Sequence, residues 1–148
     1  MTLEALLASL HLLAILTLVV FLSSQAALCR IEWMSAAVVR RLARLDLIYG
    51  LAALALLLTG LARIFWGTKG MAWYVSQPLF HLKMTLFVLV ALLSIKPSLT
   101  FRRWLRGLAE GQALPDAQEV ARTRRWVMLQ AHLVPVIAVV AVFWARGM

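Results

Sequence analysis

Four long apolar stretches constrain this chain more than any other feature of its sequence. They cover about residues 3–28, 45–65, 78–95 and 126–144, and each is close to the roughly 20 apolar residues that a helix needs to cross a bilayer. Of the 148 residues, 64% are hydrophobic and 14% are charged, a balance that excludes a soluble globular domain. The sequence therefore predicts an all-α polytopic membrane protein, a bundle of four transmembrane helices in a single domain over residues 1–148.

Positive charge predicts the orientation of this bundle. The connection after span three is a loop over about residues 96–125. This loop and the connection after span one carry most of the cations: Arg30, Arg40, Arg41, Arg44, Lys96, Arg102, Arg103, Arg106, Arg122, Arg124 and Arg125. The other side has Lys69 in its loop, Arg63 just inside span two and Arg146 at the tail. By the positive-inside rule the basic connections are cytoplasmic and both termini face outward. The net charge of +9 then reflects orientation and contact with anionic lipid, and no motif indicates nucleic-acid binding.

Local signals predict where two helices extend beyond the bilayer. Ser35 is a capping residue before an uninterrupted helical stretch, so helix two should begin near it. Pro115, followed by Asp116 and Glu119, predicts the start of helix four. Within helix four, Pro135 predicts a bend, and the glycines of residues 106–114 favour a flexible loop.

The first span is not a signal peptide. It has no basic n-region, it is too long, and Leu28 stands where lipoprotein cleavage before Cys29 would need a small residue. We therefore interpret Cys29 as an ordinary thiol.

All three histidines lie inside the apolar runs, where an unpaired imidazole is costly. At about 1.5 Å of rise per residue, His11 lies about 12 Å and His81 about 5 Å below the outer face. His132 lies about 18 Å from that face, in the inner half. The sequence therefore allows His11 and His81 to approach one another, whereas His132 is interpreted as structural.

Two imidazoles on different helices of a bundle can supply both axial ligands of a b-type haem. Helix two offers little side-chain bulk at Gly50, Ala53 and Gly60, and Arg63 and Lys69 could neutralise the propionates. The alternative is that the small residues only let helices approach and that the histidines only join helices. Copper is a third hypothesis, because Met84 and Met128 lie one turn from His81 and His132, although methionine is also a common gap filler.

Two further charges lie within the spans. Asp46 is near the cytoplasmic end of helix two, where an ion pair with Arg41, Arg44 or the base of helix four would make it structural or electrostatic. Lys83 follows His81 by two residues, which places the two side chains about 200° apart on a helix. One arrangement has His81 inward and Lys83 extended to the outer surface among Trp66, Trp73 and Tyr74. The reverse makes Lys83 a ligand or a charge partner.

Several segments resemble an uncharacterised family of small bacterial four-helix membrane proteins, a domain of unknown function. The resemblance rests on residues 41–53 (RLARLDLIYGLAA), 59–63 (TGLAR), 69–70 (KG), Tyr74, 78–83 (PLFHLK) and 94–97 (SIKP). More distantly, the chain is similar to HemJ-type protoporphyrinogen oxidases and CopD-type copper-resistance proteins. The HemJ likeness rests on a first-span histidine, here His11, and on a histidine-x-lysine motif, here His81 and Lys83.

The resemblance implies a haem-associated protein of the bacterial inner membrane. Together with the residues it predicts haem b between His11 and His81, with Arg63, Lys69 and Lys83 at the same site and a redox or haem-handling role. The alternatives are oxidation of protoporphyrinogen IX with electrons passed to membrane quinone, a copper carrier, and a subunit of a larger complex or homo-oligomer without a cofactor.

Overall fold

The computed structural model describes residues 2–67 and 70–146. In chain order they form α1 (Thr2–Leu28), a 3-10 turn (Ile31–Trp33), α2 (Ala36–Trp66), α3 (Met71–Val75), α4 (Pro78–Ala109) and α5 (Ala117–Ala145). All of these helices except the short α3 are long and apolar enough to cross a membrane. The structure therefore confirms the all-α fold with four membrane-spanning helices, while the direction of crossing stays a prediction.

The two predicted helix starts are confirmed by their capping hydrogen bonds. The backbone N–H of Val38 donates to Ser35 Oγ at 3.2 Å, and that of Glu119 donates to Asp116 Oδ1 at 2.8 Å. Each cap satisfies a backbone donor that has no partner within its own helix. The third span differs from the sequence analysis, because α4 continues well beyond residue 95 and ends at Ala109. The segment 106–114 was expected as a flexible loop. Residues 106–109 are instead the last turn of α4, and the rest is part of the short connection to α5.

Proline 97 lies inside α4 without ending it. Its nitrogen carries no hydrogen, so the carbonyl of Leu93, one turn earlier, loses its helical partner. The side chain of Gln130 on α5 reaches this carbonyl, with Nε2 at 3.5 Å from the Leu93 oxygen. A neighbouring helix therefore supplies the missing donor, which is how membrane helices tolerate an internal proline. Pro135 likewise lies within α5, and the bend expected there stays a prediction.

The four long helices pack as a bundle in which α1 contacts α2 most extensively and α4 contacts α5. Contacts between α2 and α4 and between α1 and α5 close the bundle. We call the end with the α1–α2 and α4–α5 connections the arginine-rich end, and the end with α3 and the start of α4 the Lys83 end. The main buried cluster consists of Leu18, Leu22, Cys29, Val39, Leu42, Tyr49, Ala52, Phe101, Trp104, Val120 and Val127. Large apolar side chains such as Leu13, Leu47 and Leu92 are exposed on the outside of the bundle, as expected for a lipid-facing surface.

Candidate functional site

His11 is the buried histidine of the bundle. Its side chain, on α1, is 9% exposed, and its Nδ1 lies 2.9 Å from Thr59 Oγ1 on α2. The ring also lies against the backbone of α2, since a Cβ added at Gly60 would come 3.4 Å from His11 Cε1. Gly60 therefore lets the His11 ring approach α2, whereas Gly50 is exposed and a Cβ added there would meet no atom within 4 Å.

The hydrogen bonds of Thr59 fix the tautomer of His11. The Thr59 hydroxyl has one proton and lies 2.7 Å from the carbonyl oxygen of Ala55, one turn earlier. Because this bond uses the hydroxyl proton, Thr59 Oγ1 accepts from His11, and Nδ1 is the protonated ring nitrogen. Nε2 therefore keeps its lone pair, which is the arrangement of a histidine prepared to bind a metal.

Two cationic side chains lie near His11. Arg63 follows Gly60 by one turn of α2, and the positive charges of Lys83 and Arg63 both act on the His11 imidazole. Arg63 also acts on Lys83. The only ion pair within residues 2–67 and 70–146 joins Arg103 to Glu119 at the opposite end of the bundle. No described carboxylate therefore pairs with either cation, and we call His11, Arg63 and Lys83 the cationic cluster.

Aromatic side chains form a packed group beside this cluster. The Tyr74 ring lies 5.4 Å from that of Trp144 and 6.1 Å from that of Phe80, and the Trp73 ring lies 5.7 Å from that of Trp144. Lys83 Nζ lies 5.4 Å from the centre of the Trp144 ring, within the range of a cation–π contact. The Trp144 indole Nε1 is buried and has no hydrogen-bond acceptor. A hydrogen-bond donor without a partner, Trp144 Nε1, therefore lies beside the positive charges of the cationic cluster.

The structure places His81 away from the cationic cluster. Its side chain is exposed, and its Nε2 lies 2.7 Å from the carbonyl oxygen of Val75 in α3. Lys83 is the partly buried member of the pair. The arrangement with His81 inward and Lys83 outward is therefore wrong, because α4 is rotated so that Lys83 and not His81 faces the bundle. The pairing of His11 and His81 on one haem stays a prediction that this geometry does not favour.

The remaining predicted site residues lie elsewhere. His132 is exposed, and its Nδ1 lies 2.6 Å from the Met128 carbonyl oxygen of its own helix, so it joins no second helix. Lys69 is outside the described residues. Among those that are described, no three His, Cys, Asp or Glu side chains lie close enough to hold one metal ion. The copper hypothesis therefore has no such ligand group in the described part, and it stays a prediction.

A second polar group lies nearer the arginine-rich end. Asp46 is 6% exposed and accepts a hydrogen bond from Ser98 Oγ at 2.9 Å. The expected ion pair of Asp46 with Arg41, Arg44 or the base of helix four is wrong, since its carboxylate turns into the bundle toward Ser98 and Gln25. Thirteen residues of α2 separate Asp46 from Thr59, or about 20 Å. The two polar groups are therefore separate sites.

The sequence did not single out four polar residues of the bundle: Thr59, Ser98, Gln25 and Gln130. Gln25 and Gln130 are 2% and 1% exposed, and Gln130 Oε1 accepts from Tyr49 O–H at 3.0 Å. Ser98 carries no signal of its own, because serine is common in membrane helices. The signal was present for the two glutamines, since an amide inside an apolar run needs an internal partner.

Comparison with known proteins agrees with this architecture. Residues 3–148 match the profile of a family described as predicted membrane protein, DUF2214. The chain belongs to this family. The match confirms the resemblance, drawn from motifs such as residues 41–53, to a membrane protein family of unknown function. No curated protein and no solved structure matches the chain. For this DUF2214 protein, the more distant likeness to HemJ-type and CopD-type proteins, like the inner-membrane location, stays a prediction.

Proposed function

We propose that this multi-pass membrane protein binds haem b at the cationic cluster and has a redox or haem-handling role. The observation that carries the proposal is the state of His11. Its Nδ1 is held by Thr59 Oγ1 at 2.9 Å, which leaves Nε2 as the coordinating nitrogen. A hydrogen bond to the non-coordinating nitrogen orients the ring and raises its basicity as a ligand. His11 would therefore hold the haem iron through Nε2.

The surroundings of His11 fit the anionic edge of the same group. Haem b carries two propionates, and Arg63 and Lys83 are cations without a described carboxylate partner. Guanidinium and ammonium groups bind carboxylates through charge-assisted hydrogen bonds. The unpartnered Nε1 of Trp144 is a further donor for an acceptor at this end. Positive charge in a water-poor region is costly when it has no counterion, and a bound anion removes that cost.

Lys83 and His81 differ in how well they are placed to hold the same haem. Lys83 lies on the His11 side of α4, whereas His81 is exposed and bonded to Val75. We therefore assign to Lys83 either the second ligand or a propionate contact, and we assign neither to His81. Haem b bound in this way would supply one-electron transfer within the membrane. The residues of the chain hold it, orient the His11 ring and balance its charge.

Haem retention in single variants tests the proposal. The protein is purified in a mild detergent from a host with ample haem, and haem per protein is measured with the visible spectrum. His11→Ala should abolish or strongly reduce retention, because it removes the ligand. His132→Ala is the matched control, since this exposed histidine bonds only its own helix, and it should retain haem. His81→Ala should also retain haem.

Lys83 is examined with two variants of different chemistry. Lys83→Arg keeps the positive charge but cannot ligate iron in the manner of an amine, and Lys83→Leu removes both properties. Loss of the low-spin spectrum in both variants assigns Lys83 as the ligand, and retention in the arginine variant alone assigns it to the propionates. Retention of haem in His11→Ala would contradict the proposed site. Retention there together with loss of haem in His81→Ala would assign the haem to His81.

A further inference from the structure

A basic cleft lies at the arginine-rich end, on the opposite side of the bundle from the cationic cluster. It has a volume of about 370 Å³ and opens between the turn after α1 and the first turns of α5. Its lining residues are Cys29, Arg30, Ile31, Glu32, Ala117, Val120, Ala121 and Arg124. The buried Cys29 and Val120 belong to the main core, so the cleft has an apolar floor and a charged rim. It lies next to the end of the first apolar span at Leu28, where lipid headgroups begin.

The two arginines of this cleft have no anionic partner among the described residues. Arg124 Nε is buried and has no hydrogen-bond partner, and an orphaned guanidinium N–H is costly to bury. Arg30 adds a second guanidinium on the opposite wall. Neither forms an ion pair in the described part of the chain, where the only pair is that of Arg103 with Glu119. The two walls of the cleft therefore offer two guanidinium groups as donors to an anion.

Cys29 and Glu32 decide the net charge of the cleft. Burial raises the pKa of the Cys29 thiol from its ordinary value of 9.0 to about 11, although the charge of Arg124 acts in the opposite direction. The thiol therefore stays neutral at physiological pH and adds no negative charge. Glu32 is the one acidic residue of the lining, and it is exposed. The cleft thus carries two cations against one anion.

We propose that the basic cleft binds the phosphate headgroup of an anionic phospholipid, with Arg124 and Arg30 as its donors. Guanidinium groups match phosphate oxygens with two parallel hydrogen bonds. Basic pockets between membrane helices bind anionic headgroups for this reason. A lipid is favoured over free phosphate because the cleft adjoins the end of a membrane span and has an apolar floor that acyl carbons can contact. The lipid would tie the α1–α2 connection to α5.

Thermal unfolding of the purified full chain in nonionic detergent tests this proposal. Phosphatidylglycerol should raise the midpoint of unfolding in a saturable manner, and phosphatidylcholine should not. Arg124→Gln should weaken the apparent affinity about fivefold, the effect expected for one basic residue near a headgroup. The matched control is Arg125→Gln, because Arg125 is exposed on the next position of α5 and does not line the cleft. Glu32→Gln should strengthen binding, since it removes the opposing charge.

Three results would overturn the proposal. Equal losses in Arg124→Gln and Arg125→Gln would show attraction to the whole basic surface in place of a site. An equal stabilisation by inorganic phosphate at the same concentration would assign the cleft to free phosphate. An unchanged or weaker affinity in Glu32→Gln would show that the charge of the cleft does not govern binding, which contradicts a site for an anionic headgroup. If Arg124→Gln does not fold, Arg124→Lys replaces it, because lysine keeps the charge and loses the fork, and it should still bind more weakly than Arg125→Lys.

Discussion

Tyr49 and Gln130 provide a test of how the bundle is held together. They come from α2 and α5, the Tyr49 hydroxyl donates to Gln130 Oε1 at 3.0 Å, and the two residues are 4% and 1% exposed. Gln130 also reaches the Leu93 carbonyl that Pro97 leaves without a partner. Hydrogen bonds between membrane helices couple by about 0.6 kcal/mol on average and up to about 1.7 kcal/mol. Because both groups are almost fully buried, we expect a value in the upper half of this range.

A double-mutant cycle isolates this bond. Tyr49→Phe should lower the free energy of unfolding by about 1 kcal/mol, since it leaves Gln130 Oε1 without a donor. Gln130→Leu should cost at least as much, because it also removes the contact with Leu93. The double variant should then be less destabilised than the sum of the two, by about 1 kcal/mol. The measurement is reversible unfolding in mixed micelles with increasing dodecyl sulfate.

The second tyrosine serves as the control. Tyr74 is also buried, at 7% exposed, but its hydroxyl makes no hydrogen bond among residues 2–67 and 70–146. Tyr74→Phe should therefore change the free energy of unfolding by much less than Tyr49→Phe. Strict additivity in the cycle, or equal costs for the two tyrosine variants, would refute the argument that the Tyr49–Gln130 bond stabilises the bundle.

Three further predictions follow from single residues. Burial raises the pKa of Cys29 to about 11, so the folded state holds the thiol proton more tightly than the unfolded state. The free energy of unfolding should therefore fall between pH 9 and 11, by up to about 2 to 3 kcal/mol. The Cys29→Ala protein should lack this part of the loss when thermal unfolding is followed against pH. Identical dependence of stability on pH in the two proteins would contradict this prediction. In a Cys29→Ser background, Ser76→Cys should react with an impermeant maleimide on intact cells and Ala113→Cys should not; the opposite pattern would reverse the predicted topology. Asp46→Asn should reduce yield or thermal stability and leave the spectrum of any bound chromophore intact, because about 20 Å of α2 separates Asp46 from Thr59, the partner of His11. A lost spectrum in well-folded protein would show that the proposed haem site is at the wrong end of the bundle.

Features set by local chemistry could be predicted from the sequence. Span length and apolar content predicted the four helices, the cap at Ser35 predicted where α2 begins, and Pro115 with the acids after it predicted the start of α5 to within two residues. These features depend on residues within one turn of each other. Pro97 shows the limit of such reasoning, since α4 continues past it and the donor that reaches the Leu93 carbonyl comes from Gln130, 33 positions after Pro97 in the chain. Nothing near Pro97 in the sequence indicates that donor.

The candidate site could be predicted only in part for a related reason. The spacing of His81 and Lys83 showed that the two side chains lie on different faces of α4, but the choice of the inward face depends on how α4 packs against its neighbours. His11 was identified by its depth and residue type, whereas its partner Thr59 was not, because nothing local relates α1 to that level of α2. Asp46 was assigned to nearby arginines, yet burial against α4 brought it to Ser98.

Haem content of the unmodified protein tests the central claim most directly. The full chain is purified from a haem-replete host, and haem per protein is determined together with the reduced-minus-oxidised spectrum. The account predicts about one b-type haem per chain, with a redox-sensitive spectrum that the His11→Ala protein lacks. Wild-type protein that is folded, is isolated without haem and does not take it up on addition would contradict the account, and it would leave the His11–Thr59 bond as a contact between helices.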